Sequence, residues 1–181
     1  MDTTTDRAMG DGFTKRRYFE IPYFLAIRPS YFFSQVGTIY TLRQALVFLL
    51  FATGFNTFGL MTSVHGASFS LPAVINIVNA LAMPAIASLI ALALTKIIPG
   101  KRVEFRRIFT VYAFSFGVAL LASWVPSLLI FTEPGKWFLT AIGLNKSCGL
   151  NRVETFFVIA LSLCVIIPAF WLFIHLTSAG A

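Results

Sequence analysis

Residues 71 to 94 read LPAVINIVNALAMPAIASLIALAL, without a single Asp, Glu, Lys or Arg. Wound as a helix, such a stretch is about 36 Å long at ~1.5 Å per residue, more than the ~30 Å hydrocarbon core of a bilayer. Three more stretches, 45–61, 108–131 and 156–174, are equally free of formal charge. The chain of 181 residues is 57% hydrophobic and only 12% charged, against about 45–50% and about 25% in a soluble domain. An ordinary soluble globule is excluded. Inside lipid the backbone must satisfy its own hydrogen bonds, so the spans are helices. The fold expected is all-α, a polytopic transmembrane helical bundle forming one membrane domain.

The net charge of +7 resembles a nucleic-acid signal until the basic residues are placed. They cluster beside apolar segments, which points to anionic headgroups and away from nucleic acid. Cys148 and Cys164 are poorly placed for a disulfide, and neither belongs to a CxxC pair, so no metal, redox group or other cofactor is expected. The first 44 residues carry ten charges and no apolar run, hence no cleavable signal is expected.

Along the chain, 1–12 reads as a disordered tail and 13–40 as an aromatic and basic lead-in. Within it Ser30 caps a short helix whose Phe32, Phe33, Val36, Ile39 and Tyr40 recur at helical spacing. This predicts an interfacial amphipathic helix, with packing on the bundle as the alternative. The transmembrane domain, 41–176, contains spans at about 42–61, 71–98, 107–125 and 154–176, followed by a tail at 177–181. Pro84 should kink the second span, freeing a carbonyl that Ser88 or a neighbouring helix would satisfy. Glu133, Pro134, Gly135 and Lys136 interrupt the apolar character after Trp124 and Pro126, leaving only a short fourth-position helix at 134–145.

Lys and Arg gather on the cytoplasmic side of short connections. Four crossings put 11 of them inside and 3 outside; if 134–145 crosses, the count is 13 to 1. The charge rule therefore favours five helices, four long and one short, although 12 residues cover only about 18 Å. An amino terminus in the cytoplasm and a carboxyl terminus outside or in the lumen follow, and a bacterial cytoplasmic membrane is the expected location.

With these elements placed, three stretches resemble the Yip1 family of small multi-spanning membrane proteins. IRPSYFFSQV (27–36) is similar to the family's juxtamembrane Pro and aromatic segment. FRRIFTVYAFSFGVALLASWVPSLL (105–129) is similar to its basic lead into a third span with a later proline. WFLTAIGLNKSCGLNRVETFFVIAL (137–161) resembles its short helix ending in Gly and Leu, polar turn and basic-led final helix. The resemblance covers roughly 18–176. It implies a five-helix fold with a cytoplasmic amino terminus and a role in membrane organisation or trafficking, with no catalytic residue to carry over. Eukaryotic members bind Rab-type GTPases; here the amino-terminal region is short and the fourth helix interrupted, a departure from that group.

No acidic residue lies in the four charge-free stretches, whereas transport pathways usually carry an ionisable group within the membrane. Asn56, Asn76 and Asn79 form a candidate intramembrane polar cluster, with Asn76 and Asn79 assigned to one helical face. Interhelical hydrogen bonding explains it more simply than solute binding. Ala113 with Gly117, and Ser115 with Ala119 and Ser123, are candidate close-packing positions. His65, His175, the two cysteines and Glu104, Glu133 and Glu154 form no spaced catalytic motif, so no enzyme is expected. What remains is a membrane scaffold or interaction protein. Its lipid or partner face comprises Lys15, Arg16, Arg17, Arg28, Lys101, Arg102, Arg106 and Arg107. Membrane lipids, and a protein partner or second copy of the chain, are the expected contacts. The alternative is a small-solute permease or accessory subunit built around the Asn cluster.

Overall fold

The computed structural model describes residues 21–63, 70–98, 103–123 and 129–179. The tail at 1–12, Lys15, Arg16, Arg17, His65, Lys101, Arg102, Trp124 and Pro126 lie outside the described residues. Among the described residues seven helices run in order: α1 (21–27), α2 (Pro29–Ser34), α3 (Leu42–Ser63), α4 (Ser70–Ile97), α5 (Phe105–Ala122), α6 (Leu129–Cys148) and α7 (Arg152–Ala179). The described residues contain no strand, only an isolated bridge between Val36 and Tyr40.

Among the described residues, three helices, over Leu42–Thr62, Ala73–Ile97 and Phe105–Ala122, are long and apolar enough to cross a membrane. Their outer surfaces are what lipid accepts and water does not: Leu50, Phe51 and Phe58 on α3 and Val74, Ile75 and Val78 on α4 stand exposed. The chain thus carries the signature of a helical membrane protein.

Local chemistry explains where helices start and stop. Before α3, the Thr41 N–H donates to Gln44 Oε1 at 2.9 Å. Before α7, Asn151 N–H donates to Glu154 Oε2 and Glu154 N–H donates to Asn151 Oδ1, both at 2.8 Å, a reciprocal capping box. Gly149, at φ +68°, ends α6 in the left-handed region that a glycine enters without a steric penalty. Asn145 Nδ2 then donates to the Leu150 carbonyl at 2.6 Å, closing the turn between α6 and α7.

Helix α5 lies against α3, α4 and α6, and its residues 108–117 are all buried. Gly117 makes this possible against α3, because a Cβ there would sit 2.7 Å from Phe48 Cε1. Ala113 and Ser115 are fully buried beside it, while Ala119 is half-buried.

The structure corrects four expectations, the first being the Ser30 cap: Ser30 is the second residue of α2, whose N-cap is Arg28 without a side-chain cap hydrogen bond. The lead-in is not an interfacial helix with its apolar face in lipid: Phe32, Phe33, Val36 and Tyr40 are buried in the same core as Phe114 and Leu144. Tyr23, Ile27 and Tyr31 form its exposed side. The fourth-position helix is no 12-residue fragment but runs Leu129–Cys148, 20 residues, or about 30 Å. Pro134 is its sixth residue, past the first turn, so the helix runs on without the hydrogen bond that this position would give to the Ile130 carbonyl. Ser88 Oγ donates to the Ala85 carbonyl at 2.8 Å rather than to the carbonyl freed by Pro84, since a helical serine reaches its own preceding turn most easily.

Candidate functional site

The approach of Gly37 to Arg107 and of Gly143 to Val111, the bond from Asn76 early in α4 to Asn56 late in α3, and the tight α6–α7 turn bring the starts of α3, α5 and α7 and the ends of α4 and α6 to one end of the bundle. A Cβ at Gly37, in the turn before α3, would lie 3.5 Å from Arg107 Nε on α5, which fixes that neighbourhood. Arg43, Lys96, Arg106, Arg107, Lys146 and Arg152 are all exposed there. Arg28 is exposed two residues before Ser30, which lines the same groove as Lys146 and Arg152. Only Glu104 and Glu154 oppose these cations among the described residues of this end. Lys146 and Arg152 were absent from the expected lipid face because charge runs, and not the turn between α6 and α7, drew attention in the sequence.

Two recesses open at this basic end. A cavity of about 190 Å³ lies between the Gly37 turn and the start of α5, with Arg106, Arg107 and Glu104 at its mouth. A larger groove, of about 600 Å³, separates α6 from α7 beneath α2.

The Asn cluster divides. Asn56 Nδ2 donates to Ser123 Oγ at 2.7 Å and to the Leu120 carbonyl at 3.3 Å, joining α3 to the end of α5. Asn76 Nδ2 donates to Asn56 Oδ1 at 3.1 Å and to Thr57 Oγ1 at 2.8 Å, adding α4. Asn79 joins neither. It lines a separate cleft of about 470 Å³ among α4, α5, α6 and α7. Positions three apart on a helix differ by about 60° around its axis, enough to send two amides to different neighbours.

The network predicts an asymmetry. Asn56→Leu should cost about 2 kcal/mol, because it breaks a three-helix hydrogen-bond hub inside the membrane. Asn79→Leu, at an exposed position, should stay within about 0.5 kcal/mol. Thermal unfolding of the detergent-solubilised protein measures both, and equal losses would defeat the division.

The cleft beside Asn79 also holds an ion pair, at the start of what the sequence assigns to the short fourth-position helix. Lys136 Nζ lies 2.6 Å from Glu133 Oε2, with side chains 14% and 70% exposed respectively. The ammonium also stands 5.1 Å from the centre of the Phe116 ring. The i, i+3 spacing of Glu133 and Lys136 was the available signal, hidden by the breaker-like Pro134 and Gly135 between them.

Cys148 and Cys164 are free thiols. No three His, Cys, Asp or Glu side chains among the described residues converge to hold a metal ion. No protein-family model, curated protein or solved structure matches this chain.

Proposed function

We propose that the protein is a multi-spanning membrane scaffold that acts through lipid or partner-protein contacts at its basic end, and that it performs no chemistry of its own. The observation carrying this reading is the convergence of exposed Arg28, Arg43, Lys96, Arg106, Arg107, Lys146 and Arg152 on one end of an apolar bundle. Such an end suits the cytoplasmic face of a membrane, where anionic headgroups attract juxtamembrane cations. On this reading the bundle crosses five times, with α6 and α7 as the last two spans, in a bacterial cytoplasmic membrane. A 20-residue α6 supports that count, its length meeting the hydrocarbon thickness. Likeness to the Yip1 family belongs to the same proposal.

A permease or accessory subunit is the second reading, favoured by the cleft beside Asn79 and Lys136. The Asn56 and Asn76 amides support it poorly, since they are engaged with each other. An Asn76→Leu protein with normal unfolding and impaired transport would favour it; lost stability alone favours packing.

The test joins sidedness to lipid selection. A reporter fused after Gly100 should be active in the cytoplasm and one fused at Ala181 outside; cytoplasmic activity at Ala181 would defeat five crossings. In polymer-extracted native discs, Arg106→Glu/Arg107→Glu should lower the anionic phospholipid retained, because it reverses two cations that each attract headgroups by roughly 1 kcal/mol. Unchanged lipid in a correctly inserted variant would leave these residues a topological role only.

A further inference from the structure

We infer that the groove between α6 and α7 binds one anionic phospholipid, its phosphate between Lys146 and Arg152 and its upper acyl chain along Trp137, Phe156 and Ile159. The inference rests on the reading that the basic end works against an anionic membrane face, and it names a discrete site within that end.

Charge selects the ligand's sign. Lys146 and Arg152 stand on either side of the α6–α7 turn and both line the groove, and no acidic side chain lines it. The smaller recess by α5 has Glu104 at its mouth, and Lys136 in the opposite cleft is already paired with Glu133. The second observation is independent of charge. Thr155 is 4% exposed, lines the groove, and its Oγ1 has no hydrogen-bond partner. A buried hydroxyl without a partner is costly and demands an explanation. A rotation of the Thr155 side chain toward the groove would let a phosphate oxygen accept its proton.

Shape separates a lipid from a free phosphate, which offers the same oxygens. From Lys146 the α6 wall runs back nine residues to Trp137, about 13 Å along the helix. On α7, Arg152, Thr155 and Ile159 follow at helical spacing. The groove is therefore cationic at the end of the bundle and apolar toward its middle, where Phe156, 69% exposed, opens onto the lipid-facing surface. Its volume of about 600 Å³ suits a headgroup and several methylenes, and an inorganic ion would leave most of it empty.

The full-length protein, delipidated in maltoside micelles, is titrated with phosphatidylglycerol, phosphatidylcholine or inorganic phosphate and examined by native mass spectrometry. One phosphatidylglycerol per chain should be retained, about tenfold more tightly than phosphatidylcholine. Lys146→Gln/Arg152→Gln, at exposed positions that leave the fold intact, should weaken it about thirtyfold. Thr155→Val should weaken it about fivefold, and Ile159→Trp should fill the apolar half and abolish retention. Arg106→Gln/Arg107→Gln should change it little. Equal weakening by both double variants would overturn the groove while leaving the basic end a diffuse lipid contact. Absence of any preference for phosphatidylglycerol would overturn both. Phosphate binding as tight as the lipid's, and indifferent to Ile159→Trp, would show a free-anion pocket and refute the lipid assignment.

Discussion

Phe114→Ala should cost the protein about 3 kcal/mol, the low end of the range for a buried phenylalanine. The ring is fully buried and stands edge-on to Phe32 with centroids 5.0 Å apart. Tyr40 is 5.9 Å away and Phe48 5.6 Å. Those three partners come from α2, from the turn after it and from α3, so one ring on α5 ties the lead-in to the bundle. Truncation leaves a cavity that these neighbours cannot all collapse into. The cost stays near the low end because part of the core, once separated, meets acyl chains instead of water, and no hydrophobic transfer is lost there. Thermal unfolding reads the total. Faster proteolytic cleavage near Arg28 reads the undocking of the lead-in. Phe51→Ala, on the exposed side of α3, is the control and should stay within about 0.5 kcal/mol. Similar losses from both would mean that the aromatic cluster does not hold the lead-in.

Gly143→Val should be comparably damaging, by about 3 kcal/mol. A Cβ at this α6 position would collide with Val111 Cγ1 and lie 3.0 Å from two atoms of the Phe33 ring. Val111 and Phe33 are themselves fully buried, so neither can swing away. Helix propensity pulls in the opposite direction, since a glycine costs a helix about 1 kcal/mol relative to alanine. Gly54 of α3 shows which effect wins where: nothing lies within 4 Å of a Cβ there, and Gly54→Ala should therefore stabilise. Val111→Ala introduced with Gly143→Val should restore a large part of the loss by giving the new methyls room. Melting temperatures of the three variants decide the matter, and an unchanged value for Gly143→Val would refute the contact among α2, α5 and α6.

These two sites lie where the sequence was hardest to read. Long runs without Asp, Glu, Lys or Arg are enough to specify helices and an apolar outer surface, because lipid offers the backbone no hydrogen bonds. The reciprocal caps of Asn151 with Glu154 and the stop at Gly149 are likewise local chemistry, written in adjacent residues. The sidedness of charge is visible in the same way, as basic residues recurring at alternate ends of the helices.

The tertiary structure alone decided which apolar residue meets a helix and which meets lipid. In a soluble helix a polar face marks the outside; in α3 leucine and phenylalanine serve both sides, Phe48 and Leu49 buried and Leu50 and Phe51 exposed, because acyl chains and helix interiors solvate them alike. Phe32 and Phe33 suited an interface or a core equally well, and only the space left by Gly143 and the ring of Phe114 drew them inward. The separation of Asn79 from Asn76 and the continuation of α6 through Pro134 depended on neighbours distant in sequence. So did the groove joining Lys146, Arg152 and Thr155, because a cavity is defined by the helices that fail to fill it.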